Sequence, residues 1–143
     1  HSAEVIQREL AGHVKTTGEY IPGYEVNSLA LPYGAYPKDS ALAVRGSNSS
    51  TDYRHEAVLL VGANPSPSPF HNSFDPYRIP RIRASEINTE GVGLYDWLEY
   101  FAENPHKRYI SDGNEQYITA PQPAGVNFNE KLAGDKKVRF FEK

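Results

Sequence analysis

The sequence predicts a single α+β domain over residues 1–143, with an N-terminal helix and one central helix packed on a mainly antiparallel sheet of four to six short strands. Three observations carry that expectation. Apolar residues recur at helical spacing in two stretches, near the start of the chain and again from Leu94. Between and after them lie short strand-like runs separated by Pro, Gly and Asp-Gly turn signals. No regular strand–helix–strand rhythm is visible, which speaks against a parallel, doubly wound sheet. The length of 143 residues and an aromatic content of 12% are enough for a packed core without staples.

Taken in order, Ser2 is a suitable N-cap and Glu4 sits in the first turn, where the helix dipole favours an acid. Ala3, Ile6, Leu10 and Val14 then share a face, so a helix is expected over residues 3–15, ended by Thr16-Thr17-Gly18. Prolines 22, 32 and 37 and glycines 23 and 34 interrupt the next stretch, leaving room for one short strand over residues 25–31. Residues 46–50, Gly-Ser-Asn-Ser-Ser, read as a polar turn. Residues 53–62 form the most strand-like stretch. Its run Ala57-Val58-Leu59-Leu60-Val61 is apolar on both faces, as a central strand is.

Asn64-Pro65-Ser66-Pro67-Ser68-Pro69 lacks the donors for a ladder and reads as a stiff extended loop. Residues 80–85 alternate apolar and basic side chains, the pattern of a half-exposed strand. Leu94, Trp97, Leu98 and Phe101 mark the central helix as a core element, with Asp96, Glu99 and Glu103 opposite and Asn104-Pro105 as its stop. A hairpin is expected where Ser111-Asp112-Gly113-Asn114 separates residues 108–110 from 116–118. The basic, aromatic run of residues 136–141 supplies a last strand.

Composition closes several functional classes. With no Cys there is no thiolate nucleophile, disulfide framework, Cys-ligated zinc or iron–sulfur cluster. The Gly-x-Ser-x-Gly elbow and the phosphate-binding Gly-x-x-x-x-Gly-Lys loop are absent, and Gly91-Val92-Gly93 lacks the third glycine of a dinucleotide fingerprint. No organic cofactor is therefore expected. A net charge of −3 gives no global cationic field, so any anion site must be local. No apolar run approaches the ~20 residues of a membrane span. The chain starts at His1, as a processed form or a fragment would, and it lacks Met and carries the acceptor pattern Asn48-Ser49-Ser50; together these favour a secreted protein.

Candidate chemistry centres on histidine, which titrates near neutrality without perturbation. His55 and Glu56 open the strand-like stretch, His71 follows the proline loop, and His106 follows the central helix. Arg78, Arg81 and Arg83 form a local basic cluster. Arg81 and Arg83 fall on one strand face about 6–7 Å apart, a spacing suited to one phosphate or two adjacent ones. In inventory this set resembles that of metal-independent ribonucleases, which implies a secreted hydrolase of the small ribonuclease or toxin type acting on RNA or another phosphodiester. His55, Glu56, His71 and His106 would then provide base and acid, Arg78, Arg81 and Arg83 the phosphate clamp, and Tyr77 and Tyr109 stacking faces.

Two other readings draw on different residues. Asp52, His55, Glu56, His71 and Asp75 are hard or borderline metal donors, although no His-x-x-x-His spacing organises them. Alternatively, the chain is a non-catalytic binding or structural module whose Tyr- and Pro-rich loops, with Tyr20, Tyr24, Tyr33 and Tyr36, contact a protein or glycan.

Overall fold

A computed structural model describes residues 1–84, 91–108, 113–121 and 128–141. The fold is mixed α and β. It divides into two compact units, one formed by His1–Asn64 with Asp75–Arg81 and the other by Pro65–Phe74 with Ile82–Lys143.

In the first unit, helix α1 spans Ala3–Tyr20, and the Ser2 hydroxyl accepts the Val5 N–H at its start. The helix runs past Thr16-Thr17-Gly18, because threonine and glycine only weaken a helix, whereas Pro22 ends it by holding Ile21 out of the helical region, at φ −131° and ψ 78°. α1 packs on an antiparallel hairpin of β2 (Arg45–Asn48) and β3 (Thr51–Arg54). The polar run read as a turn is thus half strand. Only Ser49 and Ser50 turn, with φ of 47° and 68°, the left-handed pair that a two-residue hairpin loop demands.

The strand-like stretch breaks at His55-Glu56, and β4 covers Ala57–Leu59. β1 (Ser28–Ala30) pairs with β4 in parallel, Leu29 opposite Val58. On the other edge of β4, Val58 N–H donates to Pro76 O at 2.9 Å and Leu60 N–H to Ile79 O at 2.7 Å, while Gly62 N–H donates to Arg81 O at 2.9 Å. Leu59 and Ile79 form a parallel bridge. β4 is therefore paired on both edges, as its two apolar faces suggested. Val58 is 0% exposed and packs with Leu31 and Ala43 of the short helix α2 (Ala41–Val44), joined by Leu29, Tyr36, Val44 and Leu60. Its burial contributes about 1.5 kcal/mol or more.

In the second unit, α3 spans Leu94–Glu103. The Asp96 carboxylate accepts the Gly93 N–H at 2.8 Å at its start, and Asn104 caps its end by donating to Tyr100 O. A 3-10 turn, Pro105–Lys107, follows. β5 (Tyr117–Pro121) pairs in parallel with β6 (Lys137–Phe141), with the Arg139 guanidinium 3.3 Å from the centroid of the Tyr117 ring. Ile118 is buried on β5, and Phe140 and Phe141 of β6 are exposed.

The described strands thus form three two-stranded sheets, two parallel and one antiparallel, rather than one mainly antiparallel sheet. The crossover from β1 to β4 explains why the parallel pairing left no rhythm in the sequence. It contains a 3-10 turn at Pro32–Gly34, a helix of four residues and a hairpin, where a regular crossover has a single helix. Of the expected strand at 80–85, residues up to Arg81 pair with the β4 side, residues 82–84 have no regular structure, and residue 85 lies outside the described residues. Residues 109–112 of the expected hairpin also lie outside them.

Candidate functional site

The sequence-selected residues fall into two groups. His55 belongs to the first unit and is 1% exposed. Its Nδ1 lies 2.8 Å from Ala43 O, so Nδ1 carries the hydrogen it donates there. Nε2 is buried with no partner among the described residues. Tyr53 packs beside it at 5.6 Å between ring centroids. Glu56 is exposed at the strand break.

Three further members of the set also lie in the first unit. Arg78 rests on the Tyr36 ring, 5.0 Å from its centroid, and Arg81 Nε–H donates to Leu60 O at 2.9 Å. Tyr77 is exposed, its N–H bound to the Asp75 carboxylate and its carbonyl accepting the Tyr36 hydroxyl at 2.6 Å. The expectation of a shared strand face for Arg81 and Arg83 depends on a strand that stops at Arg81; Arg83 is exposed in the irregular stretch that follows. Tyr109 lies outside the described residues.

The second unit brings His71 and His106 to one cleft of about 520 Å³. Its walls are the proline loop at Pro65–Ser68, the aromatic face of α3 with Trp97, Tyr100 and Phe101, and Phe70 and Phe128, with Ile118 and Ala120 from β5. Each histidine is held by its local chain. His71 follows a turn closed by its own N–H to Ser68 O at 2.9 Å, and its backbone bridges to Phe128, with Asn129 N–H donating to Phe70 O at 2.7 Å. The His71 ring is oriented by Ser73. The Ser73 N–H donates to Nδ1 at 3.1 Å, and the Ser73 hydroxyl lies 2.7 Å from the same nitrogen. In the neutral ring the proton therefore sits on Nε2; in the charged ring Nδ1–H donates to the hydroxyl oxygen and the bond from the Ser73 N–H is given up.

His106, Lys107 and Arg108 enter the cleft lining because Asn104 and Pro105 stop α3 and fold the chain into a tight turn, with Lys107 N–H donating to Asn104 O at 3.0 Å. The Lys107 ammonium lies 4.8 Å from the Tyr100 ring centroid and donates to the Tyr100 hydroxyl. Trp97 meets Tyr100 edge-on at 5.3 Å and Phe101 at 6.1 Å, and Phe70 stacks with Phe128 at 6.1 Å.

The sequence reading treated Trp97 and Phe101 as core residues. They are half-buried and line the cleft, as no residue of α3 is fully buried. The signal available for them was the helical aromatic stripe itself, which does not distinguish a core face from a cleft wall. Phe70, Ser73 and Phe128 are members of the site with no signal in the sequence, and Tyr100, Lys107 and Arg108 are members that sequence reasoning also missed. The one signal for the latter three was proximity to His106 across the Asn-Pro helix stop.

Among the described residues, no group of three or more His, Asp or Glu side chains comes together as a metal cage. No helix among them is long and apolar enough to cross a membrane. Against protein-family models, curated proteins and solved structures, the chain has no match.

Proposed function

We propose that this chain is a secreted ribonuclease-type hydrolase that binds single-stranded RNA in the cleft of the second unit and cleaves its phosphodiester bonds by acid–base catalysis. The observation that carries it is that two histidines and two fixed cations, His71, His106, Lys107 and Arg108, share one aromatic-walled cleft. Bases stack on rings such as Trp97 and Phe101 whatever their identity, and the cations attract the phosphate. His106, exposed on its turn, serves as the base that takes the 2′-hydroxyl proton. The 2′-oxygen then attacks phosphorus. His71, as imidazolium with Nδ1–H held by the Ser73 hydroxyl, protonates the departing 5′-oxygen from Nε2. Asn48, half-buried at the end of β2, adjoins the exposed Ser49–Ser50 turn, and an acceptor pattern at a hairpin end supports the secreted reading.

The test is incubation of the purified protein with RNA, with and without a chelator. Cleavage that leaves 2′,3′-cyclic ends, survives the chelator and falls at least about 100-fold in His71→Gln or His106→Gln is the expected result. No cleavage under either condition overturns it, and chelator-sensitive cleavage moves the chemistry to metal-assisted hydrolysis. Trp97, the one tryptophan of the chain, reports binding separately through its fluorescence.

A second reading has its own observation. Tyr20, Tyr24 and Tyr33 of the first unit are exposed rings, as a non-catalytic module that contacts a protein or glycan would present. RNA that neither quenches Trp97 nor is cleaved favours this reading.

A further inference from the structure

β1, β4 and residues 76–81 run parallel in the first unit, so their carboxyl ends emerge along one edge. Two side chains mark that edge. Tyr33, directly after β1, is 99% exposed and stands at φ 55°, the left-handed region that a bulky side chain enters only at a cost. No packing contact of its ring compensates for that cost. Arg81 is fixed at the end of the third segment by the bond from its Nε–H to Leu60 O, which leaves four N–H donors on its terminal nitrogens. No carboxylate among the described residues pairs with it. Between the two lie Gly34 and Gly62, with Val61 and Pro80 packed against them. A Cβ on Gly34 would lie 3.1 Å from Val61 N, and one on Gly62 3.2 Å from Pro80 Cβ. The edge therefore carries small apolar side chains between a free aromatic face and an anchored guanidinium, with outer strands about 10 Å apart.

We propose that this edge is a nucleotide-binding site, with the Tyr33 ring stacking on the base and the Arg81 terminal nitrogens forming a fork on the phosphate. Strain at an exposed tyrosine is retained where the ring has a use. Parallel strands commonly offer ligands the space beyond their carboxyl ends. A guanidinium preset by a backbone carbonyl suits a phosphate better than a freely moving one. The site uses no residue of the cleft in the second unit and does not depend on RNA cleavage there.

Titration of the full chain, labelled with nitrogen-15, with adenosine monophosphate and separately with inorganic phosphate tests the proposal. The nucleotide is expected to shift the amide signals of Tyr33, Gly34 and Gly62 and the Arg81 Nε–H signal, and phosphate to shift the Arg81 signal alone. Tyr33→Gly, which accepts the same φ without strain, and Arg81→Gln should each weaken nucleotide binding about tenfold or more while the Val58 and Ala43 signals stay in place. An oligoadenylate with methylated 2′-oxygens, which the cleft cannot cleave, separates the sources of the ligand when read at the edge signals alone: tighter binding than the monophosphate assigns the edge to an RNA strand, and equal binding to a free nucleotide. The absence of shifts at these signals with millimolar nucleotide, or unchanged affinity in both variants, overturns it. Trp97 fluorescence reads the cleft independently, so failure at one site is told apart from failure at the other.

Discussion

Gly46 shows how one atom decides a residue. It faces Tyr53 across the hairpin, and a Cβ placed on it would stand 2.6 Å from the Tyr53 Cζ. The hydroxyl end of the ring lies against the glycine, and the hydroxyl donates to Leu42 O at 2.7 Å, tying the hairpin to α2. Gly46→Ala must push that buried ring aside and is expected to destabilise the protein by about 1–3 kcal/mol, read as a lowered midpoint in urea. His55 beside it shows the opposite case. A histidine in charged company in the sequence reads as a candidate base, but what decides its role is depth. With Nδ1–H bound to a carbonyl and Nε2 enclosed, its hydrogen bond ties the strand break to α2.

Elements differ in how much they disclose. α3 was legible almost to its ends, because a four-position apolar stripe and an Asn-Pro stop are local signals. β6 was legible for the same reason. The β2–β3 hairpin was hidden, since its turn residues are two serines where Asn-Gly would announce a left-handed turn. Serine adopts that geometry at a cost, so the double substitution Ser49→Asn with Ser50→Gly is expected to stabilise the first unit by about 1 kcal/mol. Thermal unfolding followed by circular dichroism measures it, and an unchanged or lower midpoint contradicts the turn assignment. The parallel partners of β4 were hidden for a different reason. Pairing between segments with a long, irregular crossover between them leaves no periodic trace. Only the apolar character of both faces of residues 57–61 hinted at it.

At the scale of the whole molecule, the candidate site was legible as an inventory but not as a grouping. Histidines and cations were visible; that His71 and His106 share a cleft, while His55 belongs to the core of the first unit, depends on tertiary pairings such as Phe128 with His71. The first of the two units responds to alkali through two tyrosines. In the first, burial raises the pKa of Tyr53 above its ordinary 10.0. Burial likewise raises that of Tyr36, against the opposing pull of Arg78 and with a smaller push from Asp75. A raised folded-state value means that the unfolded chain loses these protons first. Their contribution is complete below pH 10.0 and falls as pH rises through the folded-state values. Stability of the first unit is therefore expected to drop above pH 10.0, and Tyr53→Phe to flatten that drop while costing about 1 kcal/mol at neutral pH for its lost hydrogen bond. Urea titrations at pH 8 and near 11 compare the two, and equal pH slopes contradict the assignment.

β6 carries an obligation of its own. Among the described residues it is paired with β5 alone, and it carries two exposed phenylalanines, Phe140 and Phe141. An edge strand is a template for another chain to add a strand, the first step toward aggregation. Lys136, Lys137 and Arg139 lie along the same stretch. Two copies brought edge to edge would bring like charges together, so these cations act as gatekeepers of solubility, and their protection weakens as added salt screens them.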